Sequence, residues 1–114
     1  MGLRPTRYYS NKQEKQVAKI FDGKLSSNSG AAKFSAGDVY TNNILFECKT
    51  VTKPVKSYSV KKEILDKLQR ETFELGKQFP VLVFNFEPDG ELFYVIPQKQ
   101  FKQLIEAYTQ YEEI

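Results

Sequence analysis

Residues 80–86, PVLVFNF, are an almost unbroken apolar run. A strand built from them has no polar face to offer water, so it must lie inside a sheet and be covered on both sides. The segments around it supply the covers. Helix 10–21 starts at Ser10 or Asn11, carries Val17, Ala18, Ile20 and Phe21 as an apolar stripe, and stops at Asp22-Gly23. A second helix, 60–76, is capped by Ser59 and ended by Gly76, with Val60, Ile64, Leu68, Thr72 and Leu75 facing inward. Pro88-Asp89-Gly90 turns the chain into a strand over 91–96, and Pro97 opens a last helix whose face is Phe101, Leu104, Ile105 and Tyr108. The expected order is αβββαββα, an α/β fold with a mixed β-sheet flanked by helices, in a single domain spanning 1–114 with a basic arm at 1–9.

The stretch 37–50, GDVYTNNILFECKT, reads as paired strands over 37–41 and 44–51. Asn42-Asn43 suits a two-residue type I′ turn, because Asn accepts positive φ. Val39 then faces Phe46 and Asp38 faces Glu47, while side-chain alternation puts Lys49 beside Glu47 and sends Cys48 to the other face. Two carboxylates roughly 5 Å apart repel each other. A solvated hairpin face would tolerate that; a divalent cation would relieve it.

Composition limits which cation. The chain has no histidine and one cysteine, which excludes zinc sites and Ser-His or Cys-His catalysis. A hard ion held by carboxylates and water, Mg²⁺ with Mn²⁺ as substitute, remains. No apolar window is long enough to span a membrane, and the reducing cytoplasm is the expected compartment. Residues 1–62 hold twelve Lys or Arg against four acids, whereas 63–114 hold five against ten. The basic half contains the acid-acid-lysine cluster, a combination that suits a polyanionic partner.

Three features together carry a resemblance: Glu14 in the first helix, Gly37-Asp38 after a loop of small residues, and Glu47-Cys48-Lys49 on the next strand. Their spacing and the element order resemble the PD-(D/E)XK nuclease superfamily over about residues 10–96. The loop SNSGAAKFSAGDV closing on FECKT looks most like archaeal-type and phage Holliday junction resolvases. Gly37 stands where that family's motif nominally has proline. The resemblance implies a restriction-endonuclease-like fold and a Mg²⁺-dependent endonuclease acting in DNA recombination, in a prokaryotic cell or a virus-infected host. It implies metal ligands at Glu14, Asp38, Glu47 and the backbone carbonyl of Cys48. Lys49 would orient the attacking water or stabilise negative charge. Because a four-way junction has two strands to cut, it also implies a homodimer.

The remaining candidates have two readings each. Ser27, Asn28 and Ser29, with Ser26 and Gly30, could present hydroxyls and amides to a phosphate or form an ordinary loop. Lys33, Lys53, Lys56, Lys61 and Lys62 could contact DNA or be solvated lysines. Tyr8 and Tyr9 could stack on bases or pack beneath the arm, and the last helix could form the dimer interface or cover the sheet. Two other functions stay open: a nicking or restriction-like endonuclease, and a DNA-binding module without catalysis.

Overall fold

The computed structural model describes residues 4–26 and 37–113. The elements are α1 (Thr6–Phe21), β1 (Lys24–Leu25), β2 (Val39–Tyr40), β3 (Ile44–Cys48), α2 (Lys62–Glu74), β4 (Phe79–Phe84), β5 (Phe93–Val95) and α3 (Gln98–Glu112), which is the expected order. The five strands form one mixed sheet in the order β1-β2-β3-β4-β5. β3 and β4 are parallel, joined through α2; the other neighbours are antiparallel.

β4 is interior and carries the apolar run, with Pro80, Val81, Leu82 and Val83 all buried. Alternation divides its side chains between two cores. On one face Val81 and Val83 meet Val17 of α1 together with Val39, Phe46 and Cys48. On the other, Leu82 meets Leu45 and Leu68 of α2, flanked by Ile64, Leu65 and Val95. Burying a side chain of this size stabilises by about 1.5–3 kcal/mol, which is why the doubly covered strand, and not the hairpin, anchors the sheet.

The hairpin has the expected register, Val39 opposite Phe46 and Tyr40 opposite Leu45. Its turn differs. The only non-glycine residues with positive φ among those described are Asp22 and Asp89, so Asn42-Asn43 is not a type I′ turn. The Thr41 hydroxyl instead accepts the N–H groups of Asn43 and Ile44, and Lys77 Nζ donates to the Thr41 carbonyl at 2.6 Å. Side-chain and tertiary hydrogen bonds replace the backbone twist that such a turn would have supplied.

Several helix expectations also need correction. α1 begins at Thr6, after Pro5, so residues 6–9 are helical and not part of an irregular arm. α2 begins at Lys62 with Lys61 at its cap, so Ser59 does not cap it. Val60 and Leu75 lie outside the packed stripe at 40% and 47% exposure, leaving Leu68 and Thr72 as the buried positions. Gly76 does end the helix, at φ 70° with the Lys77 N–H returning to the Thr72 carbonyl at 2.9 Å. Ile20 and Phe21 of the α1 stripe are exposed as well, although Phe21 turns onto the sheet and meets the rings of Phe46 and Tyr94.

Candidate functional site

Asp38 enters its position through Gly37. The glycine has φ 68°, and a Cβ there would stand 2.6 Å from Leu45 Cδ1 and 3.0 Å from the Phe46 carbonyl. Proline, fixed near φ −65°, cannot adopt that conformation. Position 37 is therefore one that glycine fills and proline could not. The Asp38 N–H donates to the Phe46 carbonyl at 2.8 Å, and the Asp38 carbonyl accepts from the Ser26 N–H at 3.0 Å. The carboxylate itself accepts the Cys48 N–H at Oδ2, at 2.7 Å. One oxygen of Asp38 is thus fastened across the hairpin to the next strand.

Glu47 and Lys49 follow on β3 and just past its end. Lys49 Nζ lies 3.2 Å from Glu47 Oε2, and the Lys49 N–H donates to the Val83 carbonyl at 2.8 Å. Cys48, between them, is buried on the α1 face. Its N–H points to the β2 edge, and the carbonyl of the same residue lies on that edge too. Burial pushes the Cys48 thiol up, so it stays neutral.

Glu14 approaches from α1, on the opposite side of the sheet from α2. Burial, then the charges of Asp38 and Glu47, raise its carboxyl to about 7, with Arg7 opposing the shift. Asp38 is raised to about 6 by burial and then Glu47, against the pull of the Cys48 N–H and of Lys49. The three carboxyl groups are therefore held within each other's electric fields at the carboxyl end of the parallel β3–β4 pair. Burial lowers the pKa of Lys49, but the Glu47 carboxylate more than offsets this and the net shift is upward. Lys49 remains a cation.

The donor set is oxygen only, as a hard cation requires. Among the described residues no three acidic, histidine or cysteine side chains are drawn together into a ready-made cage. Mg²⁺ does not need one, since it keeps several waters and uses one or two carboxylates plus substrate phosphates.

Two contributors carry no sequence signal. Gln13, 4% exposed, donates from Nε2 to the Lys49 carbonyl at 2.8 Å and so ties α1 to the end of β3 beside Glu14. Tyr58 stacks on Phe84 with ring centroids 4.7 Å apart and lies within the field of Lys49 and Glu47. A single Gln or Tyr has no periodicity or spacing to mark it.

The expected DNA contacts divide. Ser27, Asn28, Ser29 and Lys33, with Gly30, lie outside the described residues. Lys53 and Lys56 are exposed on the connector after β3, which is held beside the end of β4 by the Val55 N–H on the Phe86 carbonyl at 2.8 Å. Lys61 and Lys62 sit at the N-terminus of α2, where the helix dipole adds to their positive charge. Lys62 pairs with Asp66 at 2.8 Å, an exposed i,i+4 contact worth little. Tyr8 packs under Arg4, 4.5 Å from the ring centroid, and meets Tyr9 edge to face.

No described helix is long and apolar enough to cross a membrane. No family model matches the chain, and neither a curated protein nor a solved structure matches it.

Proposed function

We propose that the chain is a metal-dependent, structure-selective DNA endonuclease, of the Holliday junction resolvase kind, working as a homodimer. The observation that carries this is the Asp38 carboxylate fastened to the Cys48 N–H, between Glu47 and a lysine that stays charged and pairs with Glu47 at 3.2 Å. A pure binding module for a polyanion has no use for carboxylates crowded beside the phosphate. The preference for four-way junctions rests on the motif resemblance, and the basic connector and α2 N-terminus support a nucleic-acid substrate more generally.

Asp38, Glu47 and Glu14, with the Cys48 carbonyl, would hold Mg²⁺. When bound, such an ion supplies a water nucleophile at neutral pH and neutralises charge on the phosphoryl oxygens. The chain's own residues do the rest. The Cys48 N–H fixes the Asp38 carboxylate through Oδ2, which leaves its second oxygen as the one that would bind the ion. Glu47 holds the Lys49 ammonium 3.2 Å away, aimed by the strand. Lys49 has no acceptor and keeps its proton, so it acts by donating to the water or to a phosphate oxygen as negative charge develops. It does not serve as a general base.

Cleavage of a labelled synthetic four-way junction, against linear duplex of the same sequence, with Mg²⁺ or with chelator, tests the reading. Junction-selective, metal-dependent cutting is expected. Equal cutting of linear duplex would point to a nicking or restriction-like enzyme. Asp38→Asn is expected to abolish cleavage while retaining junction binding; cutting at the parental rate would remove Asp38 from the site and end the proposal.

A further inference from the structure

Four aromatic side chains gather at the carboxyl end of β4, and none of them is among the described residues of either core. Phe84 is the middle of three near-parallel rings: Tyr58 lies 4.7 Å away at 14°, and Phe93 5.7 Å away at 28°. Phe86 meets Phe84 and Phe93 edge to face and braces the set. None of the four is fully buried, and Phe93 is 38% exposed. Tyr58 touches no ring other than Phe84 among the described residues. The stack therefore ends at Tyr58 in a ring face without an aromatic partner, the kind of surface on which a further planar ring is added.

Strand alternation puts this stack beside the acidic site. Leu45 and Leu82 face α2, so Glu47 and Phe84, two residues further along their strands, lie on the same face. Glu47 pairs with Leu82 and Cys48 with Val83 in the parallel register, which sets Lys49 next to Phe84. The Tyr58 phenol accordingly lies in the fields of both Lys49 and Glu47. The connector that carries Tyr58 is basic: residues 53–62 hold four lysines and no acid. The Val55 N–H on the Phe86 carbonyl, at 2.8 Å, holds this connector against the rings. Lysines interleaved with an aromatic platform suit a single nucleic-acid strand, the charges meeting its phosphates and the ring meeting a base. A continuous duplex offers no such base, because each is covered above and below by its neighbours.

We infer that Tyr58, backed by Phe84, is a platform for one unpaired DNA base, held while the phosphate beside that base lies against Lys49. The inference rests on the nuclease reading and adds what the substrate must present, a base freed from stacking next to the cut, as at a branch point. Phe84 holds the tyrosine ring from behind, so receiving a base costs little further ordering of the side chain.

Fluorescence anisotropy of the full chain in chelator, with two labelled single strands of equal length, tests it. One strand is oligothymidylate; the other has the same sugar–phosphate backbone without bases, and so the same charge. The thymidylate strand is expected to bind about tenfold more tightly, the scale of one base on one aromatic ring. Tyr58→Leu should remove that difference and leave the abasic strand and linear duplex at parental affinity, with unchanged helix content by circular dichroism. Tyr58→Phe should keep the difference, because the ring is retained. Equal affinity of the parental protein for the two strands, or no binding of either, overturns the inference without any variant. A preference that survives Tyr58→Leu, or a loss as large on duplex as on the thymidylate strand, overturns it too. No cutting is measured, so failure here leaves the nuclease reading to the junction-cleavage assay. A protein that prefers the bases through Tyr58 but cuts no junction would lose that reading and keep the platform.

Discussion

A carboxyl group whose folded pKa is raised destabilises the native state once it ionises, and the acidic site concentrates that cost at Asp38 and Glu14. Their folded values, about 6 and about 7, lie above the ordinary 3.8 and 4.5. Between the two sets of values the folded protein binds more protons than the unfolded chain, so stability falls as pH rises through this window and levels off above it. For Asp38 the shift corresponds to roughly 3 kcal/mol at most, at 1.36 kcal/mol per unit. Glu14, half in solvent, adds less than its own shift because water screens it. In chelator, the melting temperature is therefore expected to drop by about 5–10 °C from pH 4 to pH 8. Mg²⁺ should recover most of that loss at pH 8 and do little at pH 4, where the carboxyls hold their protons. Asp38→Asn should flatten the profile and raise the melting temperature at pH 8. Differential scanning calorimetry across this range decides it: a melting temperature that climbs with pH would mean the acids are paired, not crowded.

Among the elements, α1 and β3 matter most, because the site is divided between them and only a few contacts fix their relation. Gln13 is one: its Nε2 holds the Lys49 carbonyl, while its buried Oε1 has no hydrogen-bond partner among the described residues. Gln13→Leu keeps much of the volume and removes the bond, so a stability loss of about 1–2 kcal/mol is expected. If Gln13 positions Glu14 against β3, cleavage should also slow by about tenfold or more, since small misplacements are costly to catalysis. Junction affinity in chelator should stay at the parental level. Equal losses in binding and turnover would reduce Gln13 to a packing residue. This division also explains what could be read in advance. The hairpin register and the buried Cys48 were legible because strand alternation is strict and the two-residue turn sets the phase. The conformation of that turn was not, because it depends on the Thr41 hydroxyl and on Lys77, thirty-six positions further along. The start of α2 was misread at Ser59 because a capping residue marks only where a helix can begin, and here the connector is tied down through Val55 instead. α3 was recognisable as amphipathic, but its pattern is the same whether the apolar side meets its own sheet or another molecule.

At the scale of the whole molecule, charge and shape set how partners arrive. The basic excess before residue 63 places Lys53, Lys56 and Lys61 in exposed positions on the chain that leaves the acidic site. If these lysines track a DNA backbone, the logarithm of junction affinity should fall linearly with log salt, by about 0.9 per phosphate neutralised. Replacing Lys53 and Lys56 by glutamine should reduce that slope by about 1 each and weaken linear and branched DNA alike. Fluorescence anisotropy titrations between 50 and 200 mM salt give the slope, about as wide a range as such measurements need. A flat dependence would make the charge asymmetry incidental. The sheet bears on association in another way. Its outer strands are only two and three residues long, β1 at one border and β5 at the other. So few unpaired backbone groups offer little template for adding a strand from another chain. Growth by sheet extension, the route to open-ended fibres, therefore finds little purchase at either described border.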